Sequence, residues 1–186
     1  PITPNCIHCG NPAKLRVGSE VYPHRRDLWT KFFYVCEPCD ARCGCHGVTK
    51  VALGFPANAQ LRKARMSLHD FRLDLIWKNA VKDGGYGQQN KKAAARITRS
   101  ARERTYKFLA ERMGVKRDDC HTAMFTLEQC RMAWKVLHGI TYADVRKWSH
   151  STEPKIKARM DAFLAKHVGD QEARDARIEA MKVARA

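Results

Sequence analysis

Cys6-Ile7-His8-Cys9 and Cys36-Glu37-Pro38-Cys39 decide how this chain folds. Each is a C-x-x-C pair, and the two-residue gap lets both sulfurs of a pair reach one ion. Two such pairs supply four thiolates, the tetrahedral shell of a closed structural zinc site. Gly10 follows the first pair, where the chain must turn sharply and a residue without Cβ adopts positive φ freely. Cys6, Cys9, Cys36 and Cys39 are therefore the expected Zn2+ ligands. Two disulfides or four free thiols are the competing readings, and nothing else in the chain favours them.

Around these pairs, residues 1–57 read as a zinc-ribbon-like module. Lys14 to Val17, Glu20 to Tyr22 and Lys31 to Val35 are short β-prone runs between turn residues. So short a segment cannot build its own apolar core, and the ion substitutes for one. Asn58 is placed to cap a helix. Leu61, Ala64, Leu68, Phe71 and Leu75 then recur at helical steps, with Arg62, Lys63, Arg65 and Arg72 off that stripe. The expected fold is α+β: a zinc-ribbon-like module with short antiparallel strands, then a mostly α-helical region.

Residues 58–139 read as a basic helical domain, and 140–186 as a C-terminal helical extension. Lys82 to Lys92 is glycine-rich, which predicts a flexible loop near 82–97. Ser100 to Glu103 reads as a capping box opening a helix through Tyr106, Leu109, Ala110 and Met113, stopped near Gly114. Thr126 to Gln129 reads as a second capping box, with its helix ended by Gly139. Further helices are expected from Thr141, Thr152 and Asp170.

The chain carries 35 Lys and Arg against 19 Asp and Glu, a net charge of +16 in 186 residues. Such an excess favours a polyanionic partner, nucleic acid first. It concentrates between 82 and 117, where eleven basic side chains face three acidic ones. The expected phosphate contacts are Arg25, Arg26, Lys91, Lys92, Arg96, Arg99, Arg102, Arg104 and Lys107. Tyr22 or Trp29 is available for base stacking beside the first two. No helix carries Asn, Gln and Arg arranged for base edges, so the expected binding has little sequence specificity.

No run of about 18 apolar residues exists, which excludes a membrane-spanning helix. Residues 1–12 are polar and unlike a secretory signal, and metal-type cysteine spacing suits a reducing interior, which predicts a cytoplasmic protein. No G-x-x-x-x-G-K motif is present, which speaks against an NTPase.

Read together, several segments resemble a family of small zinc-finger-containing proteins frequent in phage and prophage genomes. They are Cys6-x-x-Cys9-Gly10, Tyr22-Pro23-His24-Arg25, Cys36-x-x-Cys39-Asp40-Ala41, Gly44-Cys45-His46, Leu53-Gly54, Ala57-Asn58, Leu61-Arg62, Trp77, Tyr106, Cys120-His121, Met124-Phe125 and Cys130. The resemblance covers roughly 6–137 and implies a zinc ribbon followed by helices, in a phage context. It lends no mechanism. Cys43 stands where an aliphatic residue is expected, and the last 45 or so residues are an addition.

Cys45, His46, Cys120, His121 and Cys130 form a candidate second metal set that would pin the zinc module to the helices. They lack paired spacing, and isolated cysteines are commonly small buried hydrophobes. A protein-binding role, on a host polymerase or defence complex or inside a nucleoprotein assembly, is the reading of a different class. A metal-dependent nuclease is a third. It would draw on His46, His69 and His121 with Asp40, Asp70 or Asp118, none in a catalytic spacing.

Overall fold

The computed structural model describes residues 2–152 and, beyond them, Pro154, Lys157, Ala158, Asp161, Ala162 and Ala165. Residues 1–145 form one compact unit and 146–186 a second. The first has the expected α+β architecture, a three-stranded antiparallel sheet followed mostly by helices.

The sheet runs in the order β1 (Lys14–Val17), β2 (Phe32–Cys36), β3 (Ala41–Gly44). Leu15 pairs with Tyr34, and Tyr34 with Cys43. Alternation puts Tyr34 and Cys36 on one buried face of the central strand, and Phe33 is buried on the other. The strand expected over Glu20 to Tyr22 is instead a single helical turn, α1 (Gly18–Val21). Gly18 explains it: a Cβ there would meet the Leu28 carbonyl oxygen at 1.7 Å, so the chain presses backbone to backbone and turns. β3 was not expected from the sequence.

α2 (Ala59–Leu68) starts where Asn58 accepts a hydrogen bond from the Leu61 N–H at 2.9 Å. It continues into a π-helical segment, His69–Leu73, then α3 (Asp74–Lys78) and α4 (Ala80–Asp83). The π segment adds a residue to the turn and rotates everything after it. The expected stripe therefore breaks. Phe71 and Leu75 are 60% and 49% exposed, whereas Leu73 and Ile76 are 0% and 4% exposed.

α5 (Lys91–Met113) runs for 23 residues. Its cap lies ten residues before the expected Ser100 cap, because Asn90 caps it by accepting from the Ala93 N–H. Of the segment 82–97 expected as a flexible loop, only 84–90 is non-helical, and Gly85 and Gly87 take positive φ there. Alanines 93 to 95 and the absence of any breaker after Gly87 favour helix over loop once Asn90 has nucleated it. Gly114, at φ 67°, ends α5 as expected. The capping box at Thr126 opens α6 (Leu127–Val136). α7 (142–152) starts with Asp144 accepting from the Thr141 N–H at 2.8 Å. Of the helix expected from Thr152, the described residues are helical. The one expected from Asp170 lies outside the described residues.

Candidate metal centre and basic helix

The first knuckle is a tight turn between Asn5 and Pro12. The Cys6 N–H donates to the Asn11 carbonyl at 2.8 Å, and the Gly10 N–H returns to the Cys6 carbonyl at 2.9 Å. Gly10 takes φ 76°, the conformation its place demanded. The His8 N–H points at the Cys6 sulfur, 3.4 Å away. The second knuckle is a 3-10 turn, Glu37–Cys39, with Pro38 inside it. Asp40 closes it at φ 46°, a left-handed position that Asp tolerates better than most residues.

These two turns bring the four sulfurs within 4.8 Å of one another, with Cys9 and Cys36 at 3.5 Å. A tetrahedral shell with Zn–S near 2.3 Å needs sulfurs about 3.8 Å apart. The donor set and its spacing therefore fit a single thiophilic ion. All eight cysteines carry free thiols. Cys6 and Cys36 are buried with Ala41, while Cys9 is exposed. The Asn11 backbone N–H and the neighbouring sulfurs draw the Cys9 thiol down to about 7. The hydrogen bond to Cys9, then burial, pushes Cys39 up to about 12. Cys9 thus yields its proton more readily than Cys36 or Cys39, and a metal must displace the protons that remain to complete its shell.

The second candidate set does not assemble. Among the described residues, the cysteine quartet is the only group of three or more His, Cys, Asp or Glu side chains within ligand range of each other. Cys45 packs with Ala13 and Tyr34. Cys120 and Cys130 are buried, and burial lifts Cys120 to about 11. They behave as small hydrophobes. His121 caps the 3-10 turn Thr122–Met124, its Nδ1 accepting from the Ala123 N–H at 3.3 Å. His69 is held on both sides: Nδ1 lies 3.0 Å from Asp74, and Nε2 bonds the Thr122 hydroxyl. The π segment makes the first contact possible, since its wider turn stacks residues five apart.

The basic residues divide by environment. Lys91, Lys92, Arg96 and Arg99 are exposed, and α5 buries no side chain before Ala101. Lys91, Lys92, Arg96, Arg99, Arg102 and Lys107 fall within an arc of about 160° at helical geometry. Arg104 lies on the other side, donating to the Tyr142 hydroxyl at 3.1 Å. Lys107 sits 4.0 Å from Glu103. The Arg102 guanidinium lies 5.8 Å from the centroid of the Trp77 ring and 5.9 Å from that of Tyr106. Arg25 makes two bonds to Asp27, at 2.9 and 2.7 Å, and Arg26 lies over the Trp29 ring.

One residue set off the apolar stripe by sequence proves central. Arg65 is 8% exposed and donates to the Phe125 carbonyl at 2.9 Å and the Phe55 carbonyl at 3.0 Å. It follows Leu61 by four residues and precedes Leu68 by three, which places it on the buried face. That spacing was the signal available in the sequence.

With this geometry in place, comparison with known proteins is informative. Residues 2–140 match the zinc-finger-containing domain family DUF3268. The chain belongs to this family. Its zinc-finger-containing domain takes in the metal centre and the helices through α6 alike, in keeping with one compact unit to residue 145. No curated protein and no solved structure matches the chain. No helix among the described residues is long and apolar enough to cross a membrane.

Proposed function

We propose that this chain is a phage-type, zinc-binding accessory protein that binds nucleic acid through the exposed half of α5, largely without sequence specificity. Zinc is the ion we assign to Cys6, Cys9, Cys36 and Cys39. Four thiolates would fill its coordination, so it supplies structural cross-linking rather than an open catalytic position. The phage setting follows the sequence resemblance, and free thiols suit a reducing cytoplasm.

One observation carries the nucleic-acid reading. Lys91, Lys92, Arg96 and Arg99 stand exposed on one side of a helix that buries nothing there. The first turn has no acidic residue and two lysines, at the end where the helix dipole repels cations by about 0.3–1 kcal/mol each. Folding alone gives no reason to keep them there; a phosphate backbone does. The Lys91→Gln/Lys92→Gln/Arg96→Gln/Arg99→Gln variant tests this. Its binding to random-sequence duplex DNA and RNA, read by fluorescence anisotropy across a salt series, should weaken, with the slope of log affinity against log salt falling by about 3–4. An unchanged slope would remove α5 from the interface.

A protein-directed role is favoured by one feature. Ala64, Ser67, Leu127, Cys130 and Trp134 line an apolar groove of about 260 Å³ between α2 and α6, rimmed by Arg131 and Lys135. Weak oligonucleotide binding that vanishes at physiological salt would favour this reading.

A further inference from the structure

We propose that the groove between α2 and α6 is a docking site for an amphipathic helix with acidic flanks, carried by a partner protein. This goes beyond nucleic-acid binding; it rests on the protein-directed reading and gives it an occupant.

Two hollows adjoin along these helices. The first, about 260 Å³, has Ala64 of α2 on one side and Leu127, Cys130 and Trp134 of α6 on the other. The second, about 290 Å³, is lined by Phe71, Leu75, Ile76 and Ile140 among others. They meet at one pair of side chains. Trp134 lines the first, Arg72 lines the second, and the Arg72 guanidinium lies 4.3 Å from the Trp134 ring centroid. Ala64 and Phe71 stand seven residues apart, about 10 Å along the helix axis. A helix laid in the groove presents apolar side chains at i and i+7 with that same separation.

The second hollow exposes side chains that a core would otherwise take. The π-helical segment turns Phe71 and Leu75 away from the interior, leaving them 60% and 49% exposed. Large apolar side chains gathered at one place on a surface mark a contact site, whereas scattered single ones do not. Trp134 beside them is the residue type that most often anchors an interface.

Charge selects the occupant. Arg131 and Lys135 rim the first hollow and are exposed. Neither they nor Arg72 make an ion pair among the described residues. Asp70 and Glu128 line neither hollow, and the one acid lining either is Asp83 of α4, in the second. Carboxylates therefore fit beside Arg131 and Lys135. The apolar floor offers a phosphate backbone nothing to bond, so the lining suits a peptide and not a nucleic acid.

The full-length chain would be panned against displayed random peptides of about 16 residues, long enough to span both hollows as a helix. Enriched peptides would then be titrated by fluorescence anisotropy. We expect large apolar residues at i, i+3 or i+4, and i+7, flanked by Asp or Glu. Arg131→Glu/Lys135→Glu should lower their affinity about tenfold or more, and Phe71→Ala about threefold. Exchanging the peptide acids for Lys should restore binding to the charge-reversed variant. The Lys91→Gln/Lys92→Gln/Arg96→Gln/Arg99→Gln variant lowers the net charge equally and should leave peptide affinity unchanged. Thermal melting of each variant confirms that it folds. No enrichment, enriched peptides without the apolar stripe, or equal losses in the two charge variants overturns the proposal. So does displacement of bound peptide by random-sequence duplex DNA at physiological salt, which would make the groove part of a nucleic-acid face. A dimer abolished by Phe71→Ala would likewise overturn it, by seating a second copy there. DNA binding without peptide binding sinks the groove alone; peptide binding without DNA binding sinks the nucleic-acid reading alone.

Discussion

Cys36 ends β2 and opens the second knuckle, so one residue serves the sheet and the metal shell together. Its loss should therefore be felt by both. Replacing Cys36 and Cys6 with serine is expected to drop bound metal below one ion per chain and to unfold the N-terminal sheet. Metal analysis by mass spectrometry and hydrogen exchange over residues 2–57 would check it. The scale is set by structural zinc binding, roughly 10–16 kcal/mol, against total domain stabilities of about 5–15 kcal/mol. His121 carries a second expectation at this scale. Burial and its cationic neighbours hold its pKa below the ordinary 6.5. The unfolded chain then binds more protons just below that value, so stability should fall as pH drops through about 6.5 and level off below the folded pKa. Denaturant midpoints between pH 5 and 7.5 should slope in the native protein and flatten in His121→Gln; equal slopes would refute the assignment.

Helix α2 and its π-helical continuation show what a run of residues adds to single positions. Leu73→Ala removes a side chain with no exposure and should cost about 2–5 kcal/mol, whereas exposed Phe71→Ala should cost well under half of that. A straight helix would reverse this order, so urea denaturation of the two variants tests the π segment directly. Thr126→Ala removes one half of the α6 capping box and should cost about 1 kcal/mol by the same measurement. What could be read from sequence here follows physical range. The knuckles, the Asn58 and Thr126 caps and the Gly10 and Gly114 turns are local signals, and the structure has them all. The π segment, β3 and the burial of Arg65 depend on what packs against them, and periodicity alone assigned Phe71 and Leu75 to the core. The start of α5 was missed for a different reason: glycine-rich composition at 84–87 overshadowed the Asn90 cap just beyond it.

Across the whole unit, the metal module and the helices are tied through main chain. Arg65 bridges the Phe55 and Phe125 carbonyls from α2, and the Phe55 N–H donates to the Ala123 carbonyl at 3.3 Å. Arg65→Ala would leave the buried Phe125 carbonyl without this donor, at about 1–3 kcal/mol, and the partly buried Phe55 carbonyl would lose its bond at a smaller cost. The cost should appear in calorimetry as a lower melting temperature of both halves together. Chelation of the ion is likewise expected to shift one shared transition instead of leaving an intact helical half. Gly54 shows how close this seam is: a methyl group at that position would meet the Ala123 carbonyl oxygen at 2.3 Å. The consequence concerns descent and engineering. Neither half can be grafted onto a foreign partner unless a residue lacking a side chain on one margin meets a flat stretch of backbone on the other, so module and scaffold must be exchanged as a matched pair.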